Sequence, residues 1–176
     1  MKFFSTRRDR KDTGINRRLA VLVPVYNEQD LVIDSLRSVF AAAKNGGWEV
    51  QVIVVDDGSR DYTLAELNQF ARLLDDESLH VASHGRNRGK GAAIRTGLEL
   101  VTAPLVVCHD ADLKYAPNDL SKMLDAISLD NVDVVYGSRC LPGSINPRRW
   151  NLFAFGVSTL NLAVRLLYGI RISDEA

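Results

Sequence analysis

The sequence predicts an α/β fold: a mostly parallel sheet with helices on both faces. Three observations carry this expectation. Short continuous apolar runs alternate with longer segments whose apolar residues recur at helical spacing. The connections are short, with no internal repeat and no linker, which predicts one domain. The apolar runs end in polar clusters, and in a parallel sheet those ends share one edge.

Residues 19–25 are an unbroken apolar run and predict a buried first strand. Residues 30–43 (DLVIDSLRSVFAAA) return to helical spacing, with Asp30 placed to cap the helix. After the breaker at Asn45, Gly46 and Gly47, residues 50–55 predict a second buried strand. A helix over 63–74 and a short strand over 79–82 follow. Residues 90–101 (KGAAIRTGLELV) predict the next helix and residues 105–108 a fourth strand, with Cys108 inside it as a buried free thiol. Pro117 suits the first turn of a helix running to about Ile127, and residues 132–136 predict a fifth strand.

Composition narrows the function. The 176 residues are 46% apolar and 25% charged, in keeping with a globular domain around one sizeable core. Basic and acidic residues both total 22, but seven basic and only two acidic ones lie in residues 1–18. The remainder is mildly acidic, so no nucleic-acid partner is expected. Residues 1–18 read as a flexible basic tail, with attraction to anionic lipid as the sharper alternative. They lack the apolar segment of a secretory signal. Two scattered cysteines, Cys108 and Cys140, fit a reducing compartment, and no apolar stretch is long enough to span a membrane. A cytoplasmic location is expected.

The clusters carry the candidate chemistry. Residues 24–28 (PVYNE) follow the first strand, 56–59 (DDGS) the second, 84–91 (HGRNRGKG) the third, 109–112 (HDAD) the fourth and 137–139 (GSR) the fifth. If the chain stays extended, Asp110 and Asp112 point the same way. Two converging carboxylates suit Mg²⁺ or Mn²⁺ shared with a diphosphate. The plain structural reading is that Asp ends strands and starts turns. Asp56 and Asp57 can accept from a base N–H or a ribose hydroxyl, or simply make a turn and cap a helix; Glu28 is either a ribose contact or an ordinary acidic residue before a helix. The stretch from Gly85 to Gly91 satisfies neither the dinucleotide fingerprint nor the P-loop. A basic glycine turn opening a helix at Lys90 can still hold phosphate, or it is simply a tight connection. Arg139, Arg148 and Arg149 can pair with phosphate oxygens, although solvated arginines are the commoner fact. His84 and His109 have no zinc-like spacing.

Taken together, VPVYNE (23–28), VDDGSRD (55–61), NRGKGAAIRTG (87–97), DADLKYAP (110–117) and VVYGSR (134–139) resemble the family 2 glycosyltransferases of the GT-A fold. The likeness is to the dolichol-phosphate mannose synthase and polyprenyl-phosphate glycosyltransferase branch. It runs over residues 19–175, and residues 172–176 look like the start of a further segment. A GT-A domain over 19–176, incomplete at its C-terminus, is therefore expected. The resemblance implies transfer of a sugar, with inversion, from a GDP-mannose or UDP-glucose type of donor to a polyprenyl or dolichyl phosphate. It implies that Pro24, Tyr26 and Glu28 line the nucleoside pocket, and that Asp56 and Asp57 address base and ribose. Asp110, Ala111 and Asp112 take the metal and diphosphate, with Lys90 on the donor side. Arg139 meets a phosphate, helped by Arg148 or Arg149. Lys114 stands where this branch often carries a metal-supporting Gln; a protonated amine cannot ligate a metal but can contact phosphate. Residues 150–170 look like the helix that lies against the membrane in such enzymes. The other reading is a donor-binding fragment without turnover. A nucleotidylyltransferase is disfavoured, since a basic glycine-rich loop would follow the first strand, where PVYNE stands.

Overall fold

The computed structural model describes residues 17–74, 77–111, 117–128, 132–135 and 166. The chain forms two compact units, one of residues 9–128 and one of residues 1–8 with 129–176. The larger unit holds every described element of more than one residue. Its order is β1 (Arg18–Val25), α1 (Val32–Asn45), β2 (Glu49–Asp56), α2 (Thr63–Leu74), β3 (Leu79–Ser83), α3 (Lys90–Glu99), β4 (Leu105–Cys108) and α4 (Pro117–Ile127). The four strands pair in the order β3-β2-β1-β4, all parallel. Moving outward from β1 on both sides, the sheet places the β1–β4 gap where strand order reverses, which is where α/β sheets open a crevice.

Alternation along the central strands builds two cores. Leu19, Val21, Val23 and Val25 of β1, with Val52 and Val54 of β2, face Val32, Leu36 and Val39 of α1, Leu67 of α2 and Leu124 of α4. The intervening Ala20, Leu22, Ile53 and Val55 face Ala93 and Ile94 of α3. Helices therefore cover both faces, as predicted, and strands buried on two sides explain the unbroken apolar runs. On the second face α3 approaches closely: a Cβ on Gly97 would lie 3.0 Å from Leu22 Cδ2.

Three expectations are corrected. Asp30 does not cap α1: Leu31 holds that position without a side-chain bond, and the N–H groups of Leu31 and Val32 donate to Glu28 O at 3.1 and 2.9 Å. A backbone turn satisfies the first donors, so no side-chain acceptor is required there. Cys108 is exposed rather than buried. In β4 only Leu105 and Val107 pack on a core, whereas Val106 on the opposite face is 48% exposed, because α3 lies over β1 and β2. Of the expected fifth strand, Val134 makes an isolated bridge within 132–135 and no ladder builds there, while Tyr136 lies outside the described residues. Among the described residues no helix is long and apolar enough to cross a membrane.

Candidate functional site

Parallel register brings the strand ends together. Val25 pairs with Asp56, and Asp56 with Ser83, so three of the polar clusters begin at one level. Beside them, His109 extends the β4 ladder by donating its N–H to Leu22 O (2.8 Å). Asp110 follows at the mouth of the β1–β4 gap.

The loops after β1 and β2 are joined by side chains. Ser59 Oγ accepts from Asn27 N (2.9 Å), and Asn27 Oδ1 accepts from Arg60 N (2.9 Å). Gln29 Oε1 accepts from Tyr62 N (3.0 Å). Thr63 Oγ1 accepts from Glu28 N (2.8 Å) and donates to Asp61 Oδ1 (2.5 Å). The other Asp61 oxygen accepts from Gln29 N (3.4 Å). Burial pushes the Asp61 carboxyl up, but bonds from Thr63 and Gln29 outweigh it and hold it below its ordinary 3.8. These contacts hold residues 27–29 against residues 59–63, with the neighbouring Tyr26 39% exposed and Pro24 and Glu28 half-buried. Ser59, Asp61 and Thr63 escaped the sequence reading because each bond spans 32 to 35 residues where it links the two loops.

Asp56 and Asp57 are both buried and both engaged within the chain. Asp56 accepts from Ser59 N at Oδ1 (3.2 Å) and from Ser83 Oγ at Oδ2 (2.9 Å). Asp57 Oδ1 is 2.6 Å from His84 Nδ1, and the same carboxylate accepts from Arg88 N (3.0 Å) and Gly89 N (2.7 Å). On its far side His84 Nε2 meets Thr96 Oγ1 at 3.0 Å. Burial raises the Asp57 carboxyl, while the bonds from His84, Arg88 and Gly89 prevail, leaving it below 3.8. Contact of these carboxylates with a base or ribose therefore competes with bonds already made inside the chain. His84, which had no role on spacing alone, is the partner that lets a carboxylate sit buried here.

Residues 84–91 run over this clamp. Gly58 lets them approach: its φ is +73°, and a Cβ there would lie 2.4 Å from the Arg86 carbonyl carbon. Since Arg88 and Gly89 turn their N–H groups onto Asp57, those two donors are taken, and the loop exposes the side chains of Arg86, Arg88 and Lys90 together with the start of α3 at Lys90 and Gly91. Lys90 Nζ lies 2.5 Å from Asp110 Oδ1, with side chains 58% and 37% exposed. Ala111 is buried in the first core. Nearby, desolvation raises the Cys108 thiol above 9.0 against the pull of Lys90, with Asp110 adding to the rise, so the thiolate is not favoured.

The structure thus brings Pro24, Tyr26, Glu28, Asp56, Asp57, Lys90 and Asp110 to one edge. Asp112, Lys114, Arg139, Arg148 and Arg149 lie outside the described residues, as does the segment 150–170 apart from helical, exposed Leu166. No group of three or more metal-ligating side chains occurs among the described residues. Asp110 by itself has the character a divalent cation needs: a hard, partly exposed carboxylate that already holds a cation, the Lys90 ammonium.

Comparison with known proteins agrees with this architecture. Undecaprenyl-phosphate 4-deoxy-4-formamido-L-arabinose transferase of Pseudomonas fluorescens (strain SBW25) is 33% identical over 156 residues, which is 89% of this chain and 44% of that protein. Polyprenol monophosphomannose synthase of Mycolicibacterium smegmatis is 33% identical over 162 residues, 90% of this chain and 58% of the relative. The chain therefore spans about half the length of the curated relatives it matches. Among solved structures, a mannosyltransferase from Pyrobaculum calidifontis in complex with GDP-Man and Mn²⁺ superposes with a TM-score of 0.57 at 30% identity, covering 64% of this chain and 33% of that one. The model of the family described as glycosyl transferase family 2 matches residues 20–168, and the chain belongs to that family.

Proposed function

We propose that the chain carries the donor-binding part of an inverting glycosyltransferase, which moves a sugar from a GDP-mannose or UDP-glucose type of donor to a polyprenyl or dolichyl phosphate at the cytoplasmic face of a membrane. One observation carries the reading above the others: a basic side chain, Lys90, and an acidic one, Asp110, meet at the sheet edge beside the joined loops that hold Tyr26 and Glu28. That arrangement offers a wall for a nucleoside next to paired charges for a diphosphate. The likeness to transferases named for undecaprenyl phosphate and polyprenol supports the acceptor class.

In this reading Tyr26 and Glu28 hold the nucleoside. Asp56, Asp57 and Asp61 keep the surrounding loops in place, with contact of Asp56 and Asp57 to base or ribose as the finer part of the proposal. Asp110, together with Asp112, would hold Mg²⁺ or Mn²⁺, and a divalent ion bound there supplies charge neutralisation for the departing diphosphate. The solved relative's complex with GDP-Man and Mn²⁺ supports that metal. Arg139, aided by Arg148 or Arg149, orients the acceptor phosphate. Such a phosphate monoester has a second pKa of about 6, so it arrives as an anion and needs little help from a general base. Residues 150–170 supply the peripheral membrane contact.

Calorimetric titration with GDP and with UDP, each with and without Mn²⁺, tests the donor half. Binding of one nucleotide, strengthened by Mn²⁺, is expected. Absence of binding by both would refute the reading.

A further inference from the structure

We propose that Lys90 is an exchangeable counterion of the donor site: it neutralises Asp110 while the site is empty, and crosses to the donor's diphosphate when a divalent ion takes Asp110. This inference rests on the reading of Asp110 as the metal-side carboxylate.

The geometry separates a fixed root from a free tip. Lys90 is the first residue of α3, and the residue before it is held by the 2.7 Å bond from Gly89 N to the buried Asp57. The backbone of Lys90 is therefore positioned by the clamp formed by Asp57 and His84. Its ammonium, by contrast, lies at the surface on a flexible four-carbon stem, and both partners in the Lys90–Asp110 pair are more than a third exposed. Exposed pairs of this kind are weak, so exchanging one partner for another costs little. A divalent ion arriving on Asp110 repels an ammonium 2.5 Å from the same oxygen. The nearest new anion is the diphosphate that accompanies the metal, and an ammonium is a good point-charge partner for phosphate. Lys90 then serves two opposing ends. It holds off a bare metal ion, and it strengthens binding of metal and diphosphate together.

Those two ends give opposite signs, which a general loss of structure cannot produce. In the Lys90→Met variant, titration with Mn²⁺ alone, followed by electron paramagnetic resonance, should show affinity raised by about five-fold. In the presence of Mn²⁺, affinity for whichever of GDP or UDP binds the wild type should fall by about five- to ten-fold, while affinity for the parent nucleoside stays unchanged. Lys90→Arg should retain nucleotide binding. Equal Mn²⁺ affinity in wild type and Lys90→Met overturns the exchange, as does a wild type whose nucleotide affinity is the same with and without Mn²⁺. If Asp110→Asn still abolishes the Mn²⁺ effect on nucleotide binding, the donor-site reading survives that failure. A wild type that binds neither Mn²⁺ nor nucleotide overturns both.

Discussion

Asp57 and His84 meet through a 2.6 Å hydrogen bond between Oδ1 and Nδ1, with side chains only 4% and 5% exposed. Around this pair the N–H groups of Arg88 and Gly89 close onto the carboxylate. The acid-sensitive part of the fold is therefore expected here. The folded carboxyl lies below 3.8, so it favours the ionised form more than the unfolded chain does. Its contribution is fully present above that value and is lost as pH falls through 3.8 toward the lower folded value. Asp61, shifted in the same direction, adds to the same window. In urea denaturation Asp57→Asn should lose about 2 kcal/mol at neutral pH. It should also flatten the fall in stability below about pH 4. A variant whose acid limb matches the wild type would show that Asp57 does not drive it.

Thr63 joins the β1 and β2 loops as both acceptor and donor, from Glu28 N and to Asp61 Oδ1. Thr63→Val keeps the shape of this fully buried side chain and removes both bonds. A loss of about 1–2 kcal/mol is expected. Amide exchange at Glu28 should quicken, and nucleotide affinity should drop because Tyr26 is carried on the freed loop. Unaltered exchange at Glu28 would count against this role.

Gly58 combines a φ of +73° with backbone of Arg86 and Asn87 within 2.7 Å of where a Cβ would stand. Gly58→Ala must move the loop that leads to Lys90 as well as strain the turn. Destabilisation of at least about 2 kcal/mol is expected by thermal or urea unfolding. A fully stable Gly58→Ala protein would mean that the loop yields freely.

Asp110→Asn keeps the size of the side chain and removes its charge. Nucleotide binding without metal should be kept or strengthened, because Lys90 is released from Asp110, while the gain produced by Mn²⁺ should disappear. Because the group is partly exposed, stability should stay within about 0.5 kcal/mol of the wild type. Persistence of the full Mn²⁺ effect would place the metal elsewhere.

Local chemistry made much of this molecule legible in advance. The bounds of α2, β4 and α4 match the expectations from periodicity and from Pro117, and the remaining described strands and helices differ by one or two residues at their ends. The local signal misled at two points, one for a local reason and one for a distant one. The first helix is capped by a backbone turn rather than Asp30. Cys108 belongs to an apolar run yet is exposed, because burial of β4 depends on which strands α3 covers. A run of apolar residues reports that a strand has a buried face; it does not report whether both faces are covered.

The sequence by itself determined the alternation of strands and helices, the single edge on which the first four polar clusters emerge, and the family, because periodicity and motif spacing are properties of neighbouring residues. Tertiary structure decided which side chains meet there. Strand order β3-β2-β1-β4 sets Asp57 against His84, 27 residues away, and Lys90 against Asp110, 20 residues away. Sequence spacing carries no record of such pairings, since they depend on how parallel strands stack across the sheet. The physical consequence is a division of labour among acidic residues that look alike in the chain. Asp57 is buried and holds a loop, whereas Asp110, just beyond β4, is partly exposed and paired with Lys90.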